Sequence, residues 1–308
     1  MSKLIRKPTE LRRASERVLF KMTHWRSRWH MSYYKNRLSF RRLESGAWSL
    51  QHRSGFSATT QTWASLKNSL GRRVYVVGSG PSVARQGLDP LQDSNSVLLN
   101  GAVSLIKSHS IYPWATCIVD PRFVRDRWSL VTQIPPQSRV WLSPAVIDSI
   151  ANRDPNLLDS WKLWLVDSPR KPMGGSRRSF KQLSKNPSYL VTENAGISLD
   201  AEQGLFDCGT VMLRATQASL YCGAQEIAMV GFDLTNTQQP RFYERENQVA
   251  FSRIDRAYHL IENHVSLFAT ACQARGVGLF NLSPNSRLPR SIVPYANWLD
   301  APSPIEVS

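Results

Sequence analysis

Arg241 and Tyr243 stand two residues apart in a polar stretch that follows the run Ile227 to Asp233, with Arg245 just beyond. Guanidinium groups and a phenol on a loop suit an oxyanion whose charge grows during a reaction, such as a departing phosphate. Asp120-Pro121-Arg122 sets a carboxylate, able to hold a hydroxyl, beside a guanidinium able to pair with an anion. Asn100 carries an amide that donates and accepts together, which suits a base or sugar edge. Gly78-Ser79-Gly80-Pro81-Ser82 lacks two Cβ atoms, so its backbone N–H groups can approach a phosphate or ribose closely. It has no third glycine and no following Gly-Lys-Ser/Thr, so it is neither the dinucleotide fingerprint nor a P-loop. A nucleotide site of another kind fits better, with an ordinary tight turn as the competing reading. Asp207-Cys208-Gly209-Thr210 opens a helical pattern whose N-terminal N–H groups can face an anion, although Asp207 or Thr210 can equally be a plain cap. Asp120 before proline can likewise be a turn former. Asp233 and Ser283-Pro284-Asn285-Ser286 complete the set. There is no D-x-D, no His/Cys cluster and no H-E-x-x-H, so neither a bound metal ion nor a tightly held cofactor is indicated.

These groups need a scaffold that gathers them, and the chain supplies one. Five short apolar runs end in them: Val74 to Ser82, Val97 to Ala102, Ala115 to Arg122, Ile227 to Thr235 and Leu279 to Ser286. Continuous β-branched runs without polar alternation are the mark of parallel strands covered on both faces. Further strands are expected near 139–143 and 161–167. Helices are expected around 101–109, from Gly209 to about Cys222, and over roughly 251–274. Strands alternating with helices predict an α/β fold with a single Rossmann-like, doubly wound, mainly parallel sheet. Ligands of such sheets sit beyond the carboxyl ends of the strands, so all five clusters should meet around one pocket. The long polar stretches 168–206 and 235–248 read as irregular lid or binding loops.

The 308 residues carry a net charge of +16, most of it at one end. Residues 1–73 hold 17 Lys/Arg against 3 Glu, and the remainder holds 22 basic against 20 acidic side chains. Residues 1–70 therefore read as a basic, aromatic-rich arm, partly helical or disordered, with 45–62 as a Gly/Ser-rich linker. An anionic membrane surface, nucleic acid or no partner at all are the readings open to such an arm. The near-neutral body has no nucleic-acid-binding signature, so no nucleic acid is expected. Four cysteines far apart in sequence read as reduced thiols. No apolar stretch approaches the ~20 residues of a membrane span, and the basic N-terminus lacks a signal-peptide core.

Leu98 to Arg127, the pair Gly231 to Glu244, and Asn281 to Tyr295 resemble the bacterial lipopolysaccharide inner-core transferases of Kdo, the family that adds a further Kdo residue. More distantly, the framework is similar to bacterial CMP-sialic-acid-dependent sialyltransferases. The shared elements are strand-GxGPS, strand-Asn, strand-Asp-Pro, a Cys-Gly helix start, G-x-D and a terminal S-P-N-S, from about Arg73 to Tyr295. The resemblance implies a glycosyltransferase A-like variant of the fold, with 71–308 as a nucleotide-sugar-binding domain. It implies a CMP-activated ulosonic acid as donor, a lipopolysaccharide core glycolipid as acceptor, and a peripheral place on the cytoplasmic face of the inner membrane. A sialyl or other nonulosonate transferase, or a nucleotide-binding module without catalysis, are the alternatives. By the same resemblance Gly78, Ser79, Gly80, Pro81, Ser82, Asn100 and Asp120 line the nucleotide pocket, and Arg122, read above as an anion partner, joins them at the donor site. Gly209 and Thr210 touch the ribose or sugar carboxylate, Pro284, Asn285 and Ser286 touch the cytosine, and Asp233 joins the donor site. The resemblance sets Tyr243 at a leaving-phosphate position, where Arg241 joins it from the loop chemistry above, and His259, 25 residues before Pro284, at the general-base position, with His264 and Asp120 as alternatives.

Overall fold

The computed structural model describes residues 37–92, 95–173, 175–235, 240–244 and 254–300. Its strands are β1 (Leu38–Arg42), β2 (Trp48–His52), β3 (Ser57–Thr59), β4 (Arg73–Val77), β5 (Asn95–Leu99), β6 (Ala115–Ile118), β7 (Arg139–Leu142), β8 (Lys162–Leu165), β9 (Tyr189–Val191), β10 (Gly196–Ser198), β11 (Glu226–Val230) and β12 (Gly278–Asn281). All seven strands expected from apolar runs pair in one sheet, in the order β12-β11-β4-β5-β6-β7-β8. Every pairing in it is parallel.

Each strand is covered on both faces, which is why its run is apolar throughout. Val74, Val76, Val97 and Leu99 point to one face, where they pack with α7 (Val211–Tyr221) and α8 (Ile254–Gln273). Tyr75, Val77 and Leu98 point to the other. There they meet α1 (Ser104–Ser108), α2 (Pro121–Asp126), α3 (Trp128–Val131), α4 (Pro144–Ala151) and α5 (Pro155–Asp159). From β4 the chain winds outward through β5 to β8 with its helices on the second face. It then returns to the other side of β4 and winds through β11 and β12 with its helices on the first. The fold is doubly wound, as expected, and its direction reverses between β4 and β11.

Two expectations are corrected. The stretch 168–206 is not irregular: it carries α6 (Phe180–Leu183) and the hairpin β9–β10, whose Tyr189, Ile197, Leu205 and Phe206 enter the core. Residues 37–70 are not an arm, and 45–62 is not a linker. β1, β2 and β3 form an antiparallel sheet whose Leu38, Leu50 and Phe56 join the second core layer. Arg37 pairs with Asp148 of α4 at 3.3 Å, both almost wholly buried, and His52 Nε2 lies 3.4 Å from the same carboxylate. Gln61 N donates to Leu163 O at 2.7 Å, which closes the open edge of β8. The remainder of the expected arm, 1–36, lies outside the described residues. All four cysteines are buried and unpaired.

Candidate active site

Three strand tips are sewn together at the reversal point, where open α/β sheets have their crevice. The turn after β4 laces onto β11 through Gly78 N to Val230 O at 2.8 Å and Gly80 N to Gly231 O at 3.1 Å. Ser82 donates its backbone N–H to Asp233 Oδ2 at 2.9 Å and its hydroxyl to Asp233 Oδ1. Ser283, beyond β12, accepts from Phe232 N at 2.8 Å and lies 3.3 Å from the Ser82 hydroxyl. Ser286 Oγ donates to Phe232 O at 2.7 Å.

This stitching corrects the phosphate-cradle expectation for the glycine turn. The N–H groups of Gly78, Gly80 and Ser82 are already used inside the protein. A Cβ on Gly80 would stand 2.5 Å from Asp233 Oδ2 and 2.6 Å from Gly231 O, so the glycine serves strand-tip contact rather than ligand approach. Asp233 is buried in that contact. What remains on the rim is half-exposed or exposed: Ser79, Pro81, Asn100, Asp120, Gly209, Thr210, Pro284 and Asn285.

Asn100 stands out on this rim. It occupies the left-handed region at φ 44°, a strained conformation for a residue with a side chain. Its Oδ1 is buried and has no hydrogen-bond partner among the described residues. Gly101 beside it is covered by Tyr243: a Cβ there would lie 1.8 Å from the ring's Cε1. Arg241 Nη1 donates to the Tyr243 hydroxyl at 3.1 Å. Burial pushes that phenol's pKa up, and the Arg241 charge opposes the rise. The segment 240–244 is pinned by Glu244, whose side chain is fully buried, accepts from Arg241 N at 3.1 Å and pairs with Arg127 at 3.3 Å. Arg241, Tyr243 and Asn100 thus meet at the tip of β5. Arg245 lies outside the described residues.

Asp120 caps α2 by accepting from Arg122 N at 2.9 Å, and both its oxygens take the Arg122 guanidinium, one at 2.6 Å. That side-chain bond raises the pKa of Arg122. A carboxylate so committed does not stand as a free base. His259 stands on α8 with its ring 88% exposed and Glu262 3.6 Å away. His264 is buried, donating Nδ1–H to Leu260 O at 2.7 Å, and burial lowers its pKa.

Thr210 is the N-cap of α7, accepting from Met212 N at 3.3 Å. Met212 Cε lies 3.1 Å from where a Cβ of Gly78 would stand, so the start of α7 abuts the tip of β4. Asp207 pairs with Arg214 at 3.3 Å. Burial alone would raise its pKa, but Arg214 and Lys171 hold it below the usual value. Among the described residues no group of three or more His, Cys, Asp or Glu stands together as a metal site. Sequence reasoning missed Arg127, Arg170, Arg214 and Glu244. An arginine one turn into a helix that opens on an anion motif is the signal that Arg214 offered; the others became visible only through their partners.

No protein-family model matches the chain. A curated relative, a probable 3-deoxy-manno-octulosonic acid transferase of Escherichia coli (strain K12), is 21% identical over 246 residues, covering 76% of this chain and 86% of the relative. It bears out the resemblance drawn from the motifs. Among solved structures, the sialyltransferase CstII from Campylobacter jejuni in complex with cytidine-5'-monophosphate aligns at TM-score 0.42 and 14% identity, over 76% of this chain and 88% of that one. The MAf glycosyltransferase from Magnetospirillum magneticum AMB-1 aligns at TM-score 0.45 and 17% identity, over 92% of this chain and 41% of that one.

Proposed function

We propose that this chain is a glycosyltransferase that moves a Kdo residue, or a close ulosonic-acid relative, from a CMP-activated donor to a lipopolysaccharide inner-core acceptor. The observation that carries the reading is Asn100: a strained residue with an unpaired buried acceptor, at the β5 tip beside the reversal point, next to Arg241 and Tyr243. Motif resemblance and the similarity to the Escherichia coli relative supply the donor class.

In this reading the Asn100 amide holds the nucleotide, with Ser79, Pro284 and Asn285 on the same rim. Displacement at an anomeric carbon bearing a carboxylate passes through an oxocarbenium-like state while negative charge grows on the departing phosphate. Arg241 and the Tyr243 hydroxyl meet that charge. Their mutual hydrogen bond and the Glu244–Arg127 pair fix them before the reaction, so little reorganisation accompanies it. Residues 1–36, with ten Lys/Arg against two Glu, bind the anionic membrane surface where a core glycolipid is embedded.

The test is CMP release by the purified chain with CMP-Kdo and, separately, with CMP-sialic acid, each with a lipopolysaccharide core acceptor. Turnover of CMP-Kdo supports the reading. Turnover of CMP-sialic acid alone transfers it to a sialyl or nonulosonate donor, and turnover of neither overturns it.

A further inference from the structure

Beside the nucleotide rim, where α7 begins, polar side chains gather without partners. Arg214, in the first turn of α7, gives Nη2 to Asp207, while its Nε is buried and unpartnered among the described residues. Arg170 lies over the Phe180 ring at 3.9 Å, and its Nε is likewise buried and unpartnered. The same Phe180 ring stands 6.1 Å from the His264 ring. His264 is 1% exposed and its Nε2 has no partner, although Nδ1 is anchored to Leu260 O. Ser168, two residues before Arg170 and 6% exposed, has an unpartnered hydroxyl. Buried polar groups are nearly always paired, so the three orphans on Arg214, Arg170 and His264, all within electrostatic reach of Asp207, call for a common partner. Asp167 does not supply it, because its carboxylate is taken by Ser168 N at 2.9 Å and Met173 N at 3.0 Å.

We propose that this cluster is an acceptor subsite for an oxyanion with an adjacent hydroxyl, carried as a carboxylated or phosphorylated sugar; it rests on the transferase reading and names the acceptor's anchor. The guanidinium Nε–H groups of Arg170 and Arg214 donate to the oxyanion. With its proton on Nδ1 toward Leu260 O, His264 presents a lone pair at Nε2, which accepts from a donor such as a hydroxyl and does not meet a bare anion. The start of α7, an 11-residue helix, adds the favourable end of its dipole. Asp207 is exposed at the mouth and selects against a bare anion, while accepting from a hydroxylated one. Lys171, within electrostatic reach of Asp207, balances that charge.

The experiment titrates the full chain, without any sugar nucleotide, with inorganic phosphate and with glycolate, and follows the His264 imidazole by NMR. Either anion should shift that resonance and raise the residue's pKa. Response to glycolate alone assigns a hydroxycarboxylate, and response to phosphate alone assigns a phosphorylated sugar. Arg170→Gln should weaken the response at least about tenfold, with Arg170→Lys only partly restoring it. CMP affinity should be unchanged in both variants, because Arg170 is not on the nucleotide rim. An unmoved His264 resonance, or a wild-type response from Arg170→Gln, overturns the proposal. Anion binding with no CMP binding would leave the subsite standing and remove the transferase reading instead.

Discussion

Asn100 and Gly101 concentrate the chemistry at the residue scale. Replacing Asn100 by Gly relieves the backbone at φ 44° and removes only the amide, so loss of nucleotide affinity reports the hydrogen bond itself. Calorimetric titration with CMP should show Kd rising about tenfold, with thermal stability unchanged or slightly raised. Gly101→Ala drives a methyl into the Tyr243 ring, and the ring must leave the β5 tip. Turnover should fall about 10- to 100-fold while nucleotide affinity changes little, because the phosphate-facing pair is displaced and Asn100 is not. Equal losses in both quantities would contradict the separate roles. The polar residues at the strand ends were legible as a set, because apolar runs that stop abruptly mark strand tips. Which N–H groups were free was not legible. Gly78, Gly80 and Ser82 spend theirs on β11 and Asp233, partners remote in sequence and brought close only by the crossover.

At the scale of elements, the strands read from sequence were those buried on both faces, where packing leaves no room for polar residues. β1 to β3 escaped because one face is wet: Ser39, Arg41 and Gln51 alternate with buried or half-buried Leu38, Phe40 and Leu50. Their glycines and serines have linker composition but sit in hairpin turns. The segment 240–244 was legible as a polar loop carrying Arg241 and Tyr243 but not as an anchored one, since its anchor is Arg127 on a separate part of the chain. Glu244→Gln keeps the shape and removes the ion pair. It should lower turnover several-fold and raise mobility of the Tyr243 ring, measurable by fluorine labelling at that tyrosine. Two buried histidines set an acid limit on the fold. Burial lowers the pKa of His52, with Asp148 opposing and Arg53 and Arg37 adding to the drop, and of His264, with the Leu260 carbonyl and Asp207 opposing and Arg170 adding to it. The unfolded chain takes up protons near pH 6.5, before the folded chain does. The stability that each histidine contributes is complete above that pH and is lost as pH falls through the depressed folded values. The melting temperature should drop between pH 7 and 5, with a shallower drop in His264→Gln.

For the whole molecule, charge and fold divide the work. The doubly wound body holds the strand tips, and residues 37–70 belong to it through Arg37, His52 and the β1–β3 sheet. Removing 1–36 should therefore leave melting temperature and activity on a soluble acceptor fragment intact, while lowering activity on vesicle-embedded acceptor. Removing 1–70 should unfold the second core layer. The transferase reading needs a cytidine nucleotide at the reversal point of the sheet. Titration of the purified chain with CMP, using UMP and AMP as controls, tests this most directly when repeated on Asn100→Gly. Saturable binding of CMP over the other two nucleotides, weakened by that substitution alone, is the expected result. Absence of CMP binding, or binding that Asn100→Gly leaves untouched, would contradict it.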